Sequence, residues 1–390
     1  MPINLIILTN NFVIEPKDVR EGIGYRIAGL YGPLVKALLN CSPESKIFWY
    51  SSVDRCLRLI TRSETLKSRC GMFKALLGST LTTLKGSSYL VVIVAYPSSL
   101  YTLSFFKTTL EYTLSLLALR IFNPSRIRVI VDDFDPPIPA AYAHSEVEPS
   151  ILFTLVWSVL DMLSLKLASL ILVLSKSYEQ YIARTNRVKE RKILIVPCGA
   201  LVRYIDPVLT KSDGPITLLY SGSARRVKDV DKLISTVNKL RRKGLPINLH
   251  IAGVKQMDLP LWVCNKQLSW PRFVSSILSK ADIGVIPYPP NNLHFNYTMP
   301  AKLSDYMAAG KPVISTNLKE TSNIIKMFNC GLVARDWKEF ELHIERLYRN
   351  RELAKKLGEN GRKAAEKYLN IELLADALLK SLLKTFEVEH

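Results

Sequence analysis

The sequence predicts an α/β chain built as two doubly wound parallel-sheet domains. Three observations carry that expectation. The chain has 390 residues, too many for one ordinary domain and too few for three. Short apolar runs alternate with helix-length stretches throughout, as parallel strands joined by crossover helices require. The series of runs also starts afresh after 206–214, where Pro, Ser, Asp and Gly collect and a linker is expected.

In chain order, the first series is INLIIL (3–8), KIFWY (46–50), YLVVIVA (89–95), IRVIVD (127–132), LILVLS (170–175) and ILIVP (193–197). The second is ITLLYSG (216–222), INLHIAG (247–253), DIGVIP (282–287), PVIST (312–316) and GLVA (331–334). This divides the chain into an N-terminal domain over 1–205 and a C-terminal domain over 206–370. RELAKKLGENGRKAAEKYL (351–369) reads as a charged amphipathic helix. A last helix within 371–390, IELLADALLKSLLKTF, is expected to cross back to the first domain. Ligands of such sheets bind beyond the carboxyl ends of the strands, so a cleft between two facing domains is the expected site.

Hydrophobic residues make up 48% of the chain, ample for two cores. The formal net charge is +19, shared almost evenly between the halves, and predicts attraction to something anionic: nucleic acid, a phosphorylated substrate or an acidic membrane face. The six cysteines form no Cys-x-x-Cys pair and no Cys/His cluster, which argues against a disulfide framework or a zinc site and fits a reducing cytoplasm. MPINLIILTNN has no basic n-region and no small-residue cleavage site, so it reads as a first strand rather than a signal peptide.

Residues 101–122 and 151–174 approach membrane-spanning length. The first carries Lys107, Glu111 and Arg120, the second Asp161 and Lys166. Charges at the bilayer centre are costly, so buried or interfacial helices are expected instead. The basic stretch 46–85 holds eight Lys or Arg against Asp54 and Glu64, interleaved with leucines. Beside the apolar helix near 101–120 it suits a peripheral position on an anionic membrane; a merely basic surface explains it equally.

Several positions directly after strands carry chemistry. Gly222 turns the chain before Arg225, Arg226 and Lys228, three cations that repel one another unless an anion such as a diphosphate joins them at the helix N-terminus; a solvated turn is the plainer alternative. TMPAKLSDYMAAGKPVIS (298–315) reads as a helix from Thr298 or Pro300 to Gly310. Lys302 and Asp305 share its first face, a point charge for phosphate and a two-oxygen acceptor for ribose hydroxyls; a surface ion pair is the alternative. In EGIGYR, Gly22 and Gly24 allow close backbone approach to a phosphate or sugar, or form a simple turn. Asp132, Asp133 and Asp135 follow a strand in VDDFDPP, as metal ligands or an ordinary Asp/Pro turn. His250 reads as a core residue, His343 as a helix residue, and His144 and His294 as loop residues. No Gly-x-Ser-x-Gly elbow, Ser/His/Asp order or Walker loop occurs, so hydrolase and ATPase readings lack a site.

The segments LYSGSARRVKDVDKLI, INLHIAG, ADIGVIPYPP, MPAKLSDYMAAGKPVIST, CGLVARD and LGENGRKAAEKY stand in the order and spacing of a known family. The C-terminal half resembles the family 4 (group 1) glycosyltransferases of GT-B fold. The N-terminal half matches more loosely through LVLSKSYEQYI and ILIVPCGALVRYI. The resemblance implies a retaining hexosyltransferase that draws on a nucleotide-sugar, needs no cofactor or essential metal, binds no nucleic acid, and serves an acceptor such as a lipid-linked or growing glycan. It assigns Lys228 and Lys302 to the donor diphosphate and Asp305 to the ribose. Gly22, Gly24, Gly222, Arg225, Arg226 and Tyr297 join the donor side, and Asp133 and Asp135 the acceptor side. Ser223 stands where the family has an arginine, and Tyr297 where it has the first glutamate of Glu-x7-Glu. A non-catalytic sugar- or nucleotide-binding protein of the same fold is the alternative.

Overall fold

The structure, a computed structural model, describes residues 3–9, 30–51, 55–84, 89–95, 126–134, 150–208, 213–222, 229–253, 259–260, 262–266 and 268–387, with isolated positions at 110–121 and 139. These residues cluster into two compact units. The first runs to Pro197 and takes in Ala375 onward; the second runs from Cys198 to Leu374. The second unit begins ahead of the expected linker because residues 200–203 are tied to the chain's far end. Ala200 N–H donates to Leu369 O at 2.7 Å, Ile371 N–H donates to Ala200 O at 3.0 Å, and Arg203 pairs with Glu372 at 3.1 Å.

The first unit is an eight-stranded sheet in the order β4-β3-β2-β1-β5-β6-β7-β8. Its strands are β1 Ile3–Thr9, β2 Ile47–Ser51, β3 Cys56–Ile60, β4 Thr65–Arg69, β5 Tyr89–Ala95, β6 Ile127–Asp132, β7 Leu170–Val173 and β8 Ile193–Ile195. The central strands are parallel and buried on both faces, which is why they read as unbroken apolar runs. Strands β3 and β4 add an antiparallel edge that the apolar runs do not announce. Every residue of β4 is exposed, with Lys67 and Arg69 on an edge that charge keeps from pairing with other chains. The basic stretch 46–85 is thus β2, this edge ribbon and helix α2 (Met72–Leu84), which follows α1 (Gly32–Cys41).

The apolar segment 151–174 divides into helix α3 (Ile151–Leu167) and strand β7, followed by α4 (Lys176–Thr185). No helix among the described residues is long and apolar enough to cross a membrane. Helix α3 turns Trp157, Leu160, Asp161, Ser164 and Leu165 inward. Asn186 Nδ2 donates to Asp161 Oδ2 at 2.8 Å, and burial pushes the Asp161 carboxyl up to about 7. A carboxyl whose folded-state pKa is raised makes folding less favourable as pH climbs from its unfolded value near 4 toward 7. Asp161→Asn keeps an acceptor for Asn186 and is expected to melt higher than the parent above pH 7, with the two curves meeting near pH 4. Thermal unfolding against pH checks this; parallel curves at all pH would refute it.

The second unit is a six-stranded parallel sheet in the order β11-β10-β9-β12-β13-β14. Its strands are β9 Ile216–Ser221, β10 Ile247–Ala252, β11 Val263–Lys266, β12 Ile283–Ile286, β13 Val313–Thr316 and β14 Gly331–Ala334. The chain runs outward in one direction through β9, β10 and β11, then returns to start again at β12 on the other side of β9. That reversal opens a topological switch point beyond the carboxyl ends of β9 and β12. Helices α5 (Val230–Arg242), α6 (Leu293–Tyr297), α7 (Ala301–Ala308), α8 (Lys319–Phe328), α9 (Trp337–Arg349) and α10 (Arg351–Tyr368) connect and cover the strands. The terminal helix α11 (Ile371–Glu387) starts in this unit, and from Ala375 on it belongs to the first. There Leu379, Leu382 and Leu383 line a small apolar pocket with Ile3, Leu5, Leu34, Leu38 and Val91.

Candidate active site

Helix α7 delivers a cation to the switch point. Pro300 precedes its first residue in extended conformation, starting the helix after Thr298-Met299-Pro300, and no acidic side chain occupies its first turn. Its second residue, Lys302, is only 8% exposed. The ammonium lies over two aromatic faces, 4.6 Å from the Tyr220 ring centre and 4.5 Å from that of Tyr288, and donates to the Tyr288 hydroxyl. Desolvated cation–π contacts contribute on the order of 1–2 kcal/mol each. The Tyr220 and Tyr288 hydroxyls also bond each other, and burial holds both phenols well above their ordinary pKa. The tyrosines therefore stay neutral, and the Lys302 ammonium is held between their rings at the strand ends.

Gly222 closes the slot from the β9 side. Its φ is +141°, a conformation side chains avoid, and a Cβ there would sit 2.8 Å from Lys302 Nζ. Its amide donates to Ala252 O at 2.7 Å, fixing the turn against the end of β10. The turn thus lets a backbone and a lysine head approach each other at the strand ends.

Tyr306 sets the position of α7, and so of Lys302 one turn earlier. Its hydroxyl accepts from Ser221 N–H at 2.9 Å and donates to Leu219 O at 3.0 Å, both on β9. The ring lies flat on β12, where a Cβ on Gly284 would fall 2.2 Å from Tyr306 Cδ2. Ser304 Oγ donates to Cys198 O from the same helix. Asp305 is buried beside Tyr306, three residues from Lys302.

The loop after β12 supplies the far wall. Asn292 caps α6 by accepting from the amides of His294 at 3.0 Å and Phe295 at 3.4 Å. Phe295 then packs on Tyr288 with ring centres 4.5 Å apart, and Thr316 Oγ1 donates to Tyr288 O. His294, expected in a loop, is a buried residue of α6 whose ring meets Phe295 edge-on at 5.3 Å. Tyr297 ends α6 half-buried. Asn296 Oδ1 accepts from Lys319 N–H at 2.8 Å, joining α6 to the start of α8.

Of the residues singled out in the sequence, the structure brings Gly222 and Lys302 into one arrangement and places Asp305 on the same short helix. Gly22, Gly24, Asp135, Arg225, Arg226, Lys228 and His144 lie outside the described residues. Asp133 belongs to the first unit, fully buried after β6, with its amide donating to Leu172 O at 3.0 Å. Beside it Asp132, singled out in the sequence with Asp133, joins a polar cluster whose other members the sequence did not suggest. Tyr31 donates to Asp132 Oδ2 and meets Trp49 edge-on, and Trp49 Nε1 donates to Thr9 Oγ1 at 2.8 Å. Sequence reasoning also missed Tyr220, Tyr288 and Tyr306. The signal available for Tyr220 and Tyr288 was a hydroxyl-bearing aromatic at a strand's carboxyl end, where a phenylalanine would serve packing alone; Tyr306, on α7, reads as helix core.

Residues 203–364 match the family model described as glycosyl transferases group 1. The matched residues lie within the second unit. The match spans under half of the chain, and Gly222, Lys302, Asp305 and Tyr306 all fall within it. No curated protein matches the chain by sequence. Among solved structures, sucrose-phosphate synthase from Thermosynechococcus elongatus aligns over 99% of this chain and 100% of its own with a TM-score of 0.71 at 15% identity. A glycosyltransferase from Rickettsia africae aligns over 98% of both chains with a TM-score of 0.62 at 15% identity. Anabaena Alr3699/HepE, solved in complex with UDP, aligns over 98% of this chain and 100% of its own with a TM-score of 0.62 at 10% identity. These likenesses show the fold: two Rossmann-like parallel-sheet domains of the GT-B class. The lysine slot is built from residues inside the matched segment.

Proposed function

We propose that the chain transfers a hexosyl group from a nucleoside-diphosphate sugar to a hydroxyl of a lipid-linked or growing glycan, with retention of configuration, as a family 4 type enzyme. The observation that carries this reading is the buried Lys302 ammonium at the β9/β12 switch point, within the segment that matches the group 1 model. Lys302 meets the diphosphate and Asp305 the ribose hydroxyls, with Lys228, Arg225 and Arg226 assigned from sequence to the same anion. As the sugar leaves, the bond from its anomeric carbon to the phosphate oxygen breaks and charge builds on the diphosphate. Preplaced cations stabilise that charge more than the ground state. The acceptor oxygen bonds the anomeric carbon from the face the phosphate vacates and passes its proton to the departing phosphate oxygen. No step calls on a metal or cofactor.

A second reading, a non-catalytic nucleotide- or sugar-binding protein, is favoured by Tyr297 and Ser223 standing where the resembled family has glutamate and arginine. Thermal shift against UDP, GDP and ADP, followed by sugar release from the matching donors, separates the two. A ligand that binds the folded state raises its melting point by mass action. UDP is the first probe because the structural neighbour Alr3699/HepE was solved with UDP. A shift with turnover supports the transferase; a shift without turnover across all donors supports the binder; no shift with any nucleotide overturns the transferase and the nucleotide binder alike.

A further inference from the structure

Two kinds of contact hold the Lys302 ammonium, and they fix different things. The ring faces of Tyr220, at 4.6 Å, and Tyr288, at 4.5 Å, set how deep it lies between them. They set little else, because a ring face attracts a cation over a broad area and the four-carbon stem is flexible. The bond from Nζ to the Tyr288 hydroxyl is directional. An ammonium has protons to give and no lone pair, so the phenol oxygen accepts. Accepting one N–H at a fixed point gives the other two a defined direction.

That phenol oxygen is itself anchored to the sheet. Tyr288 lies two residues past the end of β12 and is 6% exposed. Its carbonyl accepts from Thr316 Oγ1 at the end of β13, and its ring packs on Phe295. Its hydroxyl is also bonded to that of Tyr220, near the end of β9. Strands β9, β12 and β13 thus converge on one oxygen. The Gly222 backbone bounds the ammonium on a further side, since a Cβ there would lie 2.8 Å from Nζ. Packing alone does not call for either hydroxyl. Phenylalanine has the same ring, and a buried hydroxyl costs desolvation that only a hydrogen bond offsets.

We propose that Tyr288, steadied by Tyr220, is a positioning residue for sugar transfer: its hydroxyl aims the Lys302 ammonium at the phosphate oxygen that takes up charge as the sugar leaves. This rests on the reading of Lys302 as a diphosphate contact. A charge aimed in advance needs no reorganisation while the bond breaks, so the hydroxyl contributes to kcat and hardly to the KM of the donor.

The test is a double-mutant cycle of Tyr288→Phe and Lys302→Met, following nucleoside diphosphate release from UDP-, GDP- and ADP-hexoses together with melting. Tyr288→Phe keeps both ring faces and is expected to lower kcat about tenfold, the range of one hydrogen bond to a charged group, with KM unchanged. In the Lys302→Met background the same change is expected to cost no further activity. Its melting loss should appear in both backgrounds, because Tyr220 loses its hydroxyl partner in each. Should Tyr288→Phe fail to fold, Tyr220→Phe leaves the lysine bond in place and is expected to give a smaller kcat loss that also vanishes without Lys302. A kcat loss that persists in the Lys302→Met background shows a packing role and overturns the proposal. So does an unchanged kcat, or a raised KM alone, in a folded Tyr288→Phe chain whose Lys302→Met counterpart is slow. Full turnover by Lys302→Met, or none by the parent with any donor, fails at the earlier step: it removes the reading of Lys302 and this proposal with it.

Discussion

Lys302→Met is expected to lower kcat/KM with a nucleotide-sugar by about a hundredfold to a thousandfold, the range seen when one preplaced electrostatic group is removed from a reaction site. Methionine keeps the straight stem and much of the volume that fills the gap between the Tyr220 and Tyr288 rings, and its sulfur packs well on aromatic faces. Tyr288 keeps Tyr220 as a hydrogen-bond partner, so no buried hydroxyl is orphaned. What disappears is the charge. If Lys302 acts on the leaving diphosphate, kcat falls with kcat/KM; if it only holds the donor, KM rises and kcat stays. Steady-state kinetics with a denaturant unfolding curve decide the matter, and an unchanged kcat/KM in a folded variant would remove Lys302 from the reaction.

Gly284→Ala is expected to destabilise the second unit by about 3 kcal/mol, at the upper end for overpacking. The added methyl would lie 2.2 Å from Tyr306 Cδ2 and 2.4 Å from Cγ, and the ring has nowhere cheap to go because its hydroxyl is fixed by Ser221 N–H and Leu219 O. Moving the ring moves α7, and the Lys302 slot with it, so nucleotide binding should weaken alongside stability. A shorter residue at 306 should relieve part of the clash. Tyr306→Leu alone is destabilising, yet the double variant is expected to be more stable than the two single losses added together. Strict additivity in denaturant unfolding would show that the ring and the strand do not oppose each other.

The central strands that sequence foretold, such as β5 and β6, are covered on both faces, and burial on two sides leaves an unbroken apolar spelling. Those it did not foretell, β3, β4 and β11, lie at or next to a sheet edge, although the edge strands β8 and β14 were legible as short apolar runs. In β4 every residue is exposed and in β11 only Val263 is buried, so neither carries apolar pressure for the eye to find. The site divides in the same way. Lys302 and Gly222 were legible because a cation after a helix start and a glycine after a strand each have a local reason. Tyr220 and Tyr288 were not, since an aromatic at a strand end reads as core until the lysine lying across it is seen. Tyr31 and Asp132 are 101 residues apart, and no local pattern links them.

The pocket where Leu379 and Leu382 meet Ile3, Leu5, Leu34, Leu38 and Val91 fixes an order of events during synthesis. The unit that leaves the ribosome first is finished last. At about 5–20 residues per second, its apolar groove waits on the order of tens of seconds for a helix made only after the whole second unit. In that interval the groove is a site for a chaperone or for the same helix of another nascent chain, and domain exchange between chains is the characteristic error of such an arrangement.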